Sequence, residues 1–282
     1  MSEYVVRPME PHEARLAVDW AEAEGWNPGL HDAAAFYAAD PAGFFVGLLD
    51  GVPIATLSGV AYDATYGFLG LYIVQPEHRG QGYGLRLWQE AAAHLGGRNV
   101  GLDAVPAQQA NYERSGFVRA YRNIRYEGRR PEAAAPASAD IVPIFDVPLE
   151  AVVAYDAAHF PVPRADFIAR WVAQPDSVAF AVQRGEALAG LGVLRKCHRG
   201  YKVGPLLADD AATAERLLLA LSAEVEADAT LVLDVPEPNI EAVQLAERYG
   251  MTPAFETVRM YSHGEPDVPL DHIFGVTTFE LG

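Results

Sequence analysis

The sequence carries a single cysteine, Cys197, among 282 residues. One thiol excludes an internal disulfide and agrees with a reducing compartment. The eight histidines show neither HxxxH nor HxH spacing, so with one cysteine no zinc set is apparent and no metal is expected. Cations are scarce: 21 Lys and Arg face 38 Asp and Glu, a net charge of −17, and no Lys/Arg-rich block interrupts the deficit. Nucleic acid and anionic membrane surfaces are therefore poor partners. An acidic surface would favour a cationic acceptor such as an amine, although solubility alone is the heavier reading of a net charge. No apolar run approaches the ~18 residues that cross a bilayer. Met1 to Arg7 has neither the basic start nor the apolar stretch of a signal peptide. The expectation is a soluble, cytoplasmic protein.

What the chain does have is apolar residues, half of the total, and length enough for two cores. Its organising stretch runs from Tyr66 to Tyr126. Gly67 to Val74 is rich in aromatic and branched residues and predicts a buried strand, which Pro76 stops. Leu85 to Leu95 predicts a helix with Leu85, Trp88, Ala92 and Leu95 on one face. Between them lies the turn Arg79, Gly80, Gln81, Gly82, Tyr83, Gly84.

A helix start leaves backbone N–H groups unpaired and carries partial positive charge. Glycines there adopt positive φ and let a ligand approach the backbone, so the turn is suited to phosphate. Arg79 adds a fixed cation for a pyrophosphate or 3′-phosphate. A Walker loop is excluded because no Gly-Lys-Ser/Thr ending is present. A dinucleotide fingerprint is excluded too, since Gly80, Gly82 and Gly84 follow GxGxG rather than GxGxxG spacing.

The surrounding chain predicts a strand at Tyr4–Arg7, a helix from Glu10 to Glu24 closed by Gly25, and a short helix from His31 to Ala39. Strands at 43–49 and 52–62 meet at Asp50-Gly51, a hairpin signal. Asn99 to Val105 predicts a strand, Ala107 to Arg114 a short helix, and Phe117 to Glu127 a strand closing a first unit, residues 1–128. Residues 129–139 are small, polar and proline-bearing, and predict a linker.

From Asp140 to residue 282 the order of elements repeats. Strand 141–145, helices 149–159 and 164–174, and a hairpin around Gly185 are followed by Tyr201–Leu207, helix 211–223 and strand 230–236. Leu245 to Met251 mirrors Asn111 to Phe117, and nine residues beyond Gly116 and Gly250 stand Arg125 and Arg259. The second copy differs at both chemical positions. Ala208-Asp209-Asp210-Ala211 replaces the glycine turn and would repel phosphate, and Ala246 takes the place of Tyr112.

Arg79-x-x-Gly82-x-Gly84 after a strand resembles the acyl-CoA loop of the GNAT acetyltransferase superfamily. Tyr112-Glu113 with Gly116-Phe117 matches that family's Tyr-Glu-x-x-Gly-Phe signature, in order and on the expected elements. The resemblance implies a mixed α/β fold: two tandem GNAT-like domains, each a mostly antiparallel twisted sheet with a splayed strand pair flanked by helices. It implies acetyl transfer from acetyl-CoA to a primary amine of a small molecule, amino acid or peptide, by direct attack and without metal. The alternatives are a protein lysine or N-terminal acceptor, or a non-catalytic acyl-CoA-binding regulator.

By the same resemblance Ile73 and Val74 pair their backbone with the pantetheine arm, and a backbone N–H near Val74 polarises the thioester carbonyl. Arg79 through Gly84, with Asn111, complete the expected acyl-CoA site. Tyr112 is the candidate general acid; packing under its helix is the competing reading. Trp26 and Asn27 fall on the acceptor side by analogy, though for Trp26 covering the core is the preferred reading. Asp103, Tyr72, Glu22 and Glu24 are possible bases. Asp103 interrupts an apolar strand, but Asp234 repeats it in the degenerate copy, which argues for structure, and no base is assigned. Cys197 sits among Arg195, Lys196 and Arg199 with no orienting triad, so a catalytic thiol is disfavoured. The acceptor and the oligomeric state are not legible.

Overall fold

The computed structural model describes residues 3–133 and 139–282. The first half runs β1 (Tyr4–Pro8), α1 (Ala14–Ala23), α2 (Asp32–Ala39), β2 (Phe44–Leu49), β3 (Val52–Ala61), β4 (Tyr66–Val74), α3 (Tyr83–Leu95), β5 (Asn99–Ala104), α4 (Gln109–Arg114) and β6 (Val118–Arg129). The second half repeats the order: β7 (Ile141–Pro143), α5 (Leu149–Ala157), α6 (Ala165–Trp171), β8 (Ser177–Arg184), β9 (Ala187–Lys196), β10 (Tyr201–Ala208), α7 (Ala211–Ala223), β11 (Thr230–Pro236), α8 (Ile240–Arg248) and β12 (Thr252–Tyr261). One further strand, β13 (Ile273–Gly275), has no counterpart in the first half. The copied detail extends to hydrogen bonds: the Phe117 N–H donates to the Tyr112 carbonyl, and the Met251 N–H to that of Ala246.

All the described strands join one sheet, in the order β1-β2-β3-β4-β5-β12-β6-β11-β10-β9-β8-β7, with β13 against β10. Pairing is antiparallel except between β4 and β5 and between β10 and β11. The two halves have exchanged their last strands. β12 pairs with β5, Arg259 opposite Asp103, while β6 pairs with β11, Arg125 opposite Asp234. The strand expected to close a first unit at residue 128 therefore completes the sheet of the second half instead.

Buried charge explains why this arrangement holds. Arg125 donates to both carboxylate oxygens of Asp234, at 2.6 and 2.8 Å, and Arg259 to both of Asp103, at 3.1 and 2.7 Å. All four side chains are buried. An unpaired buried arginine costs several kcal/mol, so each exchanged strand fits only beside the carboxylate of the other half. Burial alone would raise the Asp234 carboxyl, but the charges of Arg125 and Lys202 outweigh it and hold it below the usual range.

A third cross-half pair joins Arg195 of β9 to Asp32 of α2, with Arg195 lying 4.0 Å over the Trp171 ring. Phe36 of α2 stacks on Trp171 of α6 at 5.8 Å, so the helices of both halves share one apolar core. Two expectations shift. The buried stripe of α3 is Leu87, Ala91 and Leu95; Leu85 is 60% exposed and Ala92 faces solvent. Trp88 turns toward a cavity, which rotates the covered face away from the Leu85–Ala92 row. The linker also begins later than expected, because Arg129 still pairs with Thr230 and the Arg130 N–H donates to the Ala229 carbonyl. Residues 134–138 of that expected linker lie outside the described residues.

Candidate active site

β4 and β5 pair only from Tyr66–Leu69 to Asn99–Leu102 and then part. The cause is local. β4 shifts register against β3 between Thr56 and Ser58, and Leu71 takes φ of 49°, an uncommon conformation for a branched side chain. Thr56 holds this bulge, its hydroxyl donating to the Leu71 carbonyl at 3.0 Å. From Gly70 to Val74, β4 has no strand partner on the β5 side among the described residues.

A cavity, partly open to solvent, fills the splay. Its first-half lining includes Leu69 to Tyr72, Trp88, Asp103, Tyr112 and Trp26. Phe255 and Thr257 of β12, with Phe279 and Glu280 beyond β13, supply the remaining wall. Tyr112 packs edge-on against Phe117 and tilted on Trp88, at 6.2 and 5.8 Å. Its hydroxyl has no hydrogen-bond partner among the described residues. Burial, with the neighbouring Tyr72, pushes the Tyr112 phenol well above its ordinary value, so it is a protonated donor at neutral pH.

Tyr72 also borders a second, shallow groove formed with Val74, Arg79, Gly80, Gly82, Tyr83 and Gly84. Here α3 begins. Gly82 is its N-cap, with φ of 86° and no side chain capping the exposed amides. A Cβ on Gly82 would meet nothing, so the residue is required by conformation, not space. Gly84 is required by space: a Cβ would lie 2.5 Å from the Tyr72 hydroxyl. The uncapped helix start, open groove and unpaired strand edge fit a pyrophosphate joined to an extended arm. Arg79 lines the groove, donating to the Val74 carbonyl at 2.7 Å and to the Glu24 carboxylate. Ile73 is buried in the core, and Gln81 turns aside to the Glu77 carbonyl.

The equivalent place in the second half is closed twice. Asp210 caps α7, accepting from the Thr213 N–H at 2.7 Å, and Arg184 bridges it. β10 and β11 also part, after Val203 and Leu233, but β13 enters the gap. Gly275 pairs with Leu206, and the Val276 N–H donates to the Asp234 carbonyl of β11 at 2.8 Å. The slot is filled by the chain itself.

Of the residues singled out in the sequence, Trp26, Tyr72, Asp103 and Tyr112 meet at the cavity. Asp103 is committed there, bound by Arg259, by Asn123 at 2.8 Å and by Thr257 at 3.3 Å, which makes it a structural carboxylate rather than a base. Asn27 lies elsewhere: its amide is spent on the backbone of Arg199, donating to the carbonyl and accepting from the N–H at 2.9 Å each. Asn111 is exposed on α4 and bonds to Gln108 and Arg114, outside both depressions. Glu24 pairs with Arg79, and Glu22 has one buried oxygen without a partner. Cys197 is buried, which pushes its thiol up and away from reactivity. Among the described residues, no group of three or more His, Cys, Asp or Glu is arranged to hold a metal ion, and no helix is long and apolar enough to cross a membrane.

Sequence reasoning missed Phe255, Thr257, Phe279 and Glu280. The available signal was that residues 262–282 extend past the last repeated element while carrying the apolar run Ile273 to Val276 and then Phe279. An extension that must bury such residues has to pack on something already folded.

A strand splay with a tyrosine facing its cavity, and an open helix start in the adjoining groove, are the features the sequence resemblance leads one to expect. The comparisons agree. Residues 12–117 match the description "Acetyltransferase (GNAT) family", and residues 152–275 match "Acetyltransferase (GNAT) domain". The chain belongs to the GNAT family as a tandem member, and it is an acyltransferase. It is 31% identical over 277 residues to the holothin acyltransferase of Pseudoalteromonas sp. (strain SANK 73390), covering 98% of this chain and 94% of that one. The fold is similar to that of an acetyltransferase candidate from Pyrococcus horikoshii, with TM-score 0.82 and 20% identity, over 99% of this chain and 96% of that one. A tandem GNAT protein of the clavulanic acid biosynthesis pathway aligns with TM-score 0.64 and 15% identity, over 94% and 100% of the two chains.

Proposed function

We propose that the first half binds acetyl-CoA and transfers its acetyl group to a primary amine by direct attack in a ternary complex. The observation that carries this reading is the meeting, at Tyr72, of an uncapped helix start and a cavity bearing Tyr112. The amides near Gly82, with Arg79, would hold the diphosphate. The free edge of β4 at Ile73 and Val74 would hold the pantetheine arm, aiming a backbone N–H at the thioester oxygen as charge develops there. Tyr112 then donates its proton to the departing sulfur. A thiol of ordinary pKa about 8.5 leaves fairly well unaided, so this donation assists rather than enables the step.

The second half binds no acyl-CoA in this reading. It supplies one wall of the acceptor site through Phe255, Thr257, Phe279 and Glu280. That wall narrows the cavity on the acceptor side, which favours a small amine over a protein lysine. The protein name of the curated relative makes holothin the first acceptor to test. Acetyl-CoA is expected to raise the melting temperature, and Gly82→Glu to remove that shift. Tyr112→Phe should lower kcat about tenfold or more with little change in acetyl-CoA affinity. Absence of both a thermal shift and thiol release, across holothin and a panel of amines, amino acids and peptides, would sink the reading.

A further inference from the structure

We propose that Glu280 is the acceptor-side catalytic residue: its carboxylate takes the amine N–H, and the residues around it select a primary amine on a compact apolar body with no neighbouring carboxylate. This rests on the acyl-transfer reading above and assigns the group that reading leaves open.

Glu280 lines the cavity and is only 4% exposed, yet among the described residues no ion pair employs it. Among the described residues no cation lines the cavity beside it, and the nearest ones are paired to other carboxylates, although Nε and Nη2 of Arg195 are buried without a hydrogen-bond partner. Arg125 is bidentate on Asp234 and donates to the Trp26 carbonyl, Arg195 is held by Asp32, and Arg259 by Asp103. One Glu280 oxygen, Oε2, accepts the Thr278 hydroxyl, and that hydroxyl in turn accepts the Glu280 N–H at 3.2 Å. The other oxygen, Oε1, accepts nothing among the described residues. A nearly buried carboxylate oxygen needs a donor, and Oε1 is left for water or for a ligand that enters the cavity.

The segment bearing Glu280 is held in place. Arg164 donates to the Thr277 hydroxyl at 2.7 Å and to the Gly282 carbonyl at 3.0 Å, and the Tyr62 hydroxyl donates to the Leu281 carbonyl at 2.8 Å. The Glu280 backbone lies directly against Gly70, on the bulged strand, where a Cβ would fall 1.8 Å from its carbonyl oxygen. Such a fixed donor-seeking group beside the splay is a preorganised one.

The chemistry balances. As the amine nitrogen forms the new C–N bond it gains positive charge and gives one proton to Oε1 of Glu280. The C–S bond breaks, its electron pair stays on sulfur, and sulfur takes the Tyr112 proton. Solvent then returns a proton to Tyr112 and removes one from Glu280. Trp26, Phe255 and Phe279 flank the site with apolar surface. An acceptor carrying its own carboxylate next to the amine would set that charge against Glu280, with no cation among the lining residues to offset it.

Three probes of one shape test this on the full chain with coenzyme A present: benzylamine, benzyl alcohol and phenylglycine, titrated calorimetrically. Benzylamine is expected to bind at least tenfold tighter than either of the others, and Glu280→Gln to erase that preference while coenzyme A affinity stays within twofold. Equal affinity for benzylamine and benzyl alcohol, or no benzylamine binding, overturns the proposal. In the transfer assay, Glu280→Gln should lower kcat with the best acceptor about 10²-fold; an unchanged kcat removes the proton-accepting role. If that variant does not fold, Thr278→Val keeps the charge but frees its orientation. It should lower kcat threefold or more, and an unaltered kcat counts against Glu280. Failure of the chain to bind acetyl-CoA would instead defeat the acyl-transfer reading, whatever the amine probes report.

Discussion

The exchanged strands make a quantitative prediction through Asp234→Asn. The change is nearly isosteric, so packing is preserved and charge alone is lost. Arg125 would keep the Trp26 carbonyl at 2.6 Å but lose its carboxylate, and Lys202, 3.7 Å from Asp234, would lose it as well. Arg125 and Asp234 are almost fully buried, so solvent offers little compensation. Removing one partner of a buried pair costs about 3–5 kcal/mol. The amide can still accept one bond from Arg125, which places the cost near the lower end, about 3 kcal/mol, against a typical total of about 5–15. The variant should therefore fold, but with a large fraction of its stability gone. Because β6 belongs to one half by sequence and the other by pairing, the loss should be felt in both halves equally.

Urea unfolding followed by hydrogen exchange reads this directly, with peptides from α3 reporting the first half and peptides from α7 the second. One shared transition, displaced by the same free energy in both, is the expected result. Two transitions, with only the α7 peptides displaced, would refute the argument that the exchange ties the halves together. The pH dependence gives a second check. Asp234 is held below its ordinary value in the fold, so its contribution is complete above the unfolded value of about 3.9 and fades as pH falls through the lower folded value. The gap between wild type and Asp234→Asn should be constant from about pH 5 to 8 and close in acid.

Two further substitutions separate the roles of the second half. Gly70→Ala would set a methyl 1.8 Å from the Glu280 carbonyl, forcing residues 279–282 off the bulged strand. It should raise KM for the amine several-fold with acetyl-CoA affinity unchanged, and an unaltered KM would mean these residues are not part of the acceptor wall. Asp210→Ala removes the cap on α7 and should cost about 1 kcal/mol. Acetyl-CoA should still bind at one site per chain by calorimetry; a second site would show that the acidic cap alone, without β13, had blocked it.

The glycine turn, the hairpins and the repeated order of elements were legible because each is a local pattern: φ at Gly82, the Asp50-Gly51 turn, apolar runs between breakers. The pairing of β6 was not. Its alternation suits any neighbour, and only the register of Arg125 against Asp234 picks one. The sequence did show Arg125 and Arg259 at matched positions, and Asp103 and Asp234 likewise, but not that each arginine would cross to the other copy. The buried stripe of α3 was misplaced for a related reason. Trp88 fits a core or a cavity equally well on composition, and facing the cavity it moves the covered row to Leu87 and Ala91. Asn27, read as acceptor-side, is taken up by the Arg199 backbone, a contact 172 residues away that no local pattern announces.

The filling of the second-half slot and the completion of the first-half cavity wall are physically one event. β13 lies between β10 and β11, where an acyl arm would otherwise run, and Glu280 follows Gly275 by five residues. An extended chain advances at most about 3.6 Å per residue, so anchoring Gly275 fixes where Phe279 and Glu280 can reach. A ligand admitted to the β10 slot would have to expel β13, and with it the wall and the carboxylate of the first-half cavity. The two sites are mutually exclusive in this architecture. On the proposed reading, the extension that builds the acceptor wall is the same chain that fills the second-half slot, so Asp210 and Ala246 there would carry no cost to the reaction.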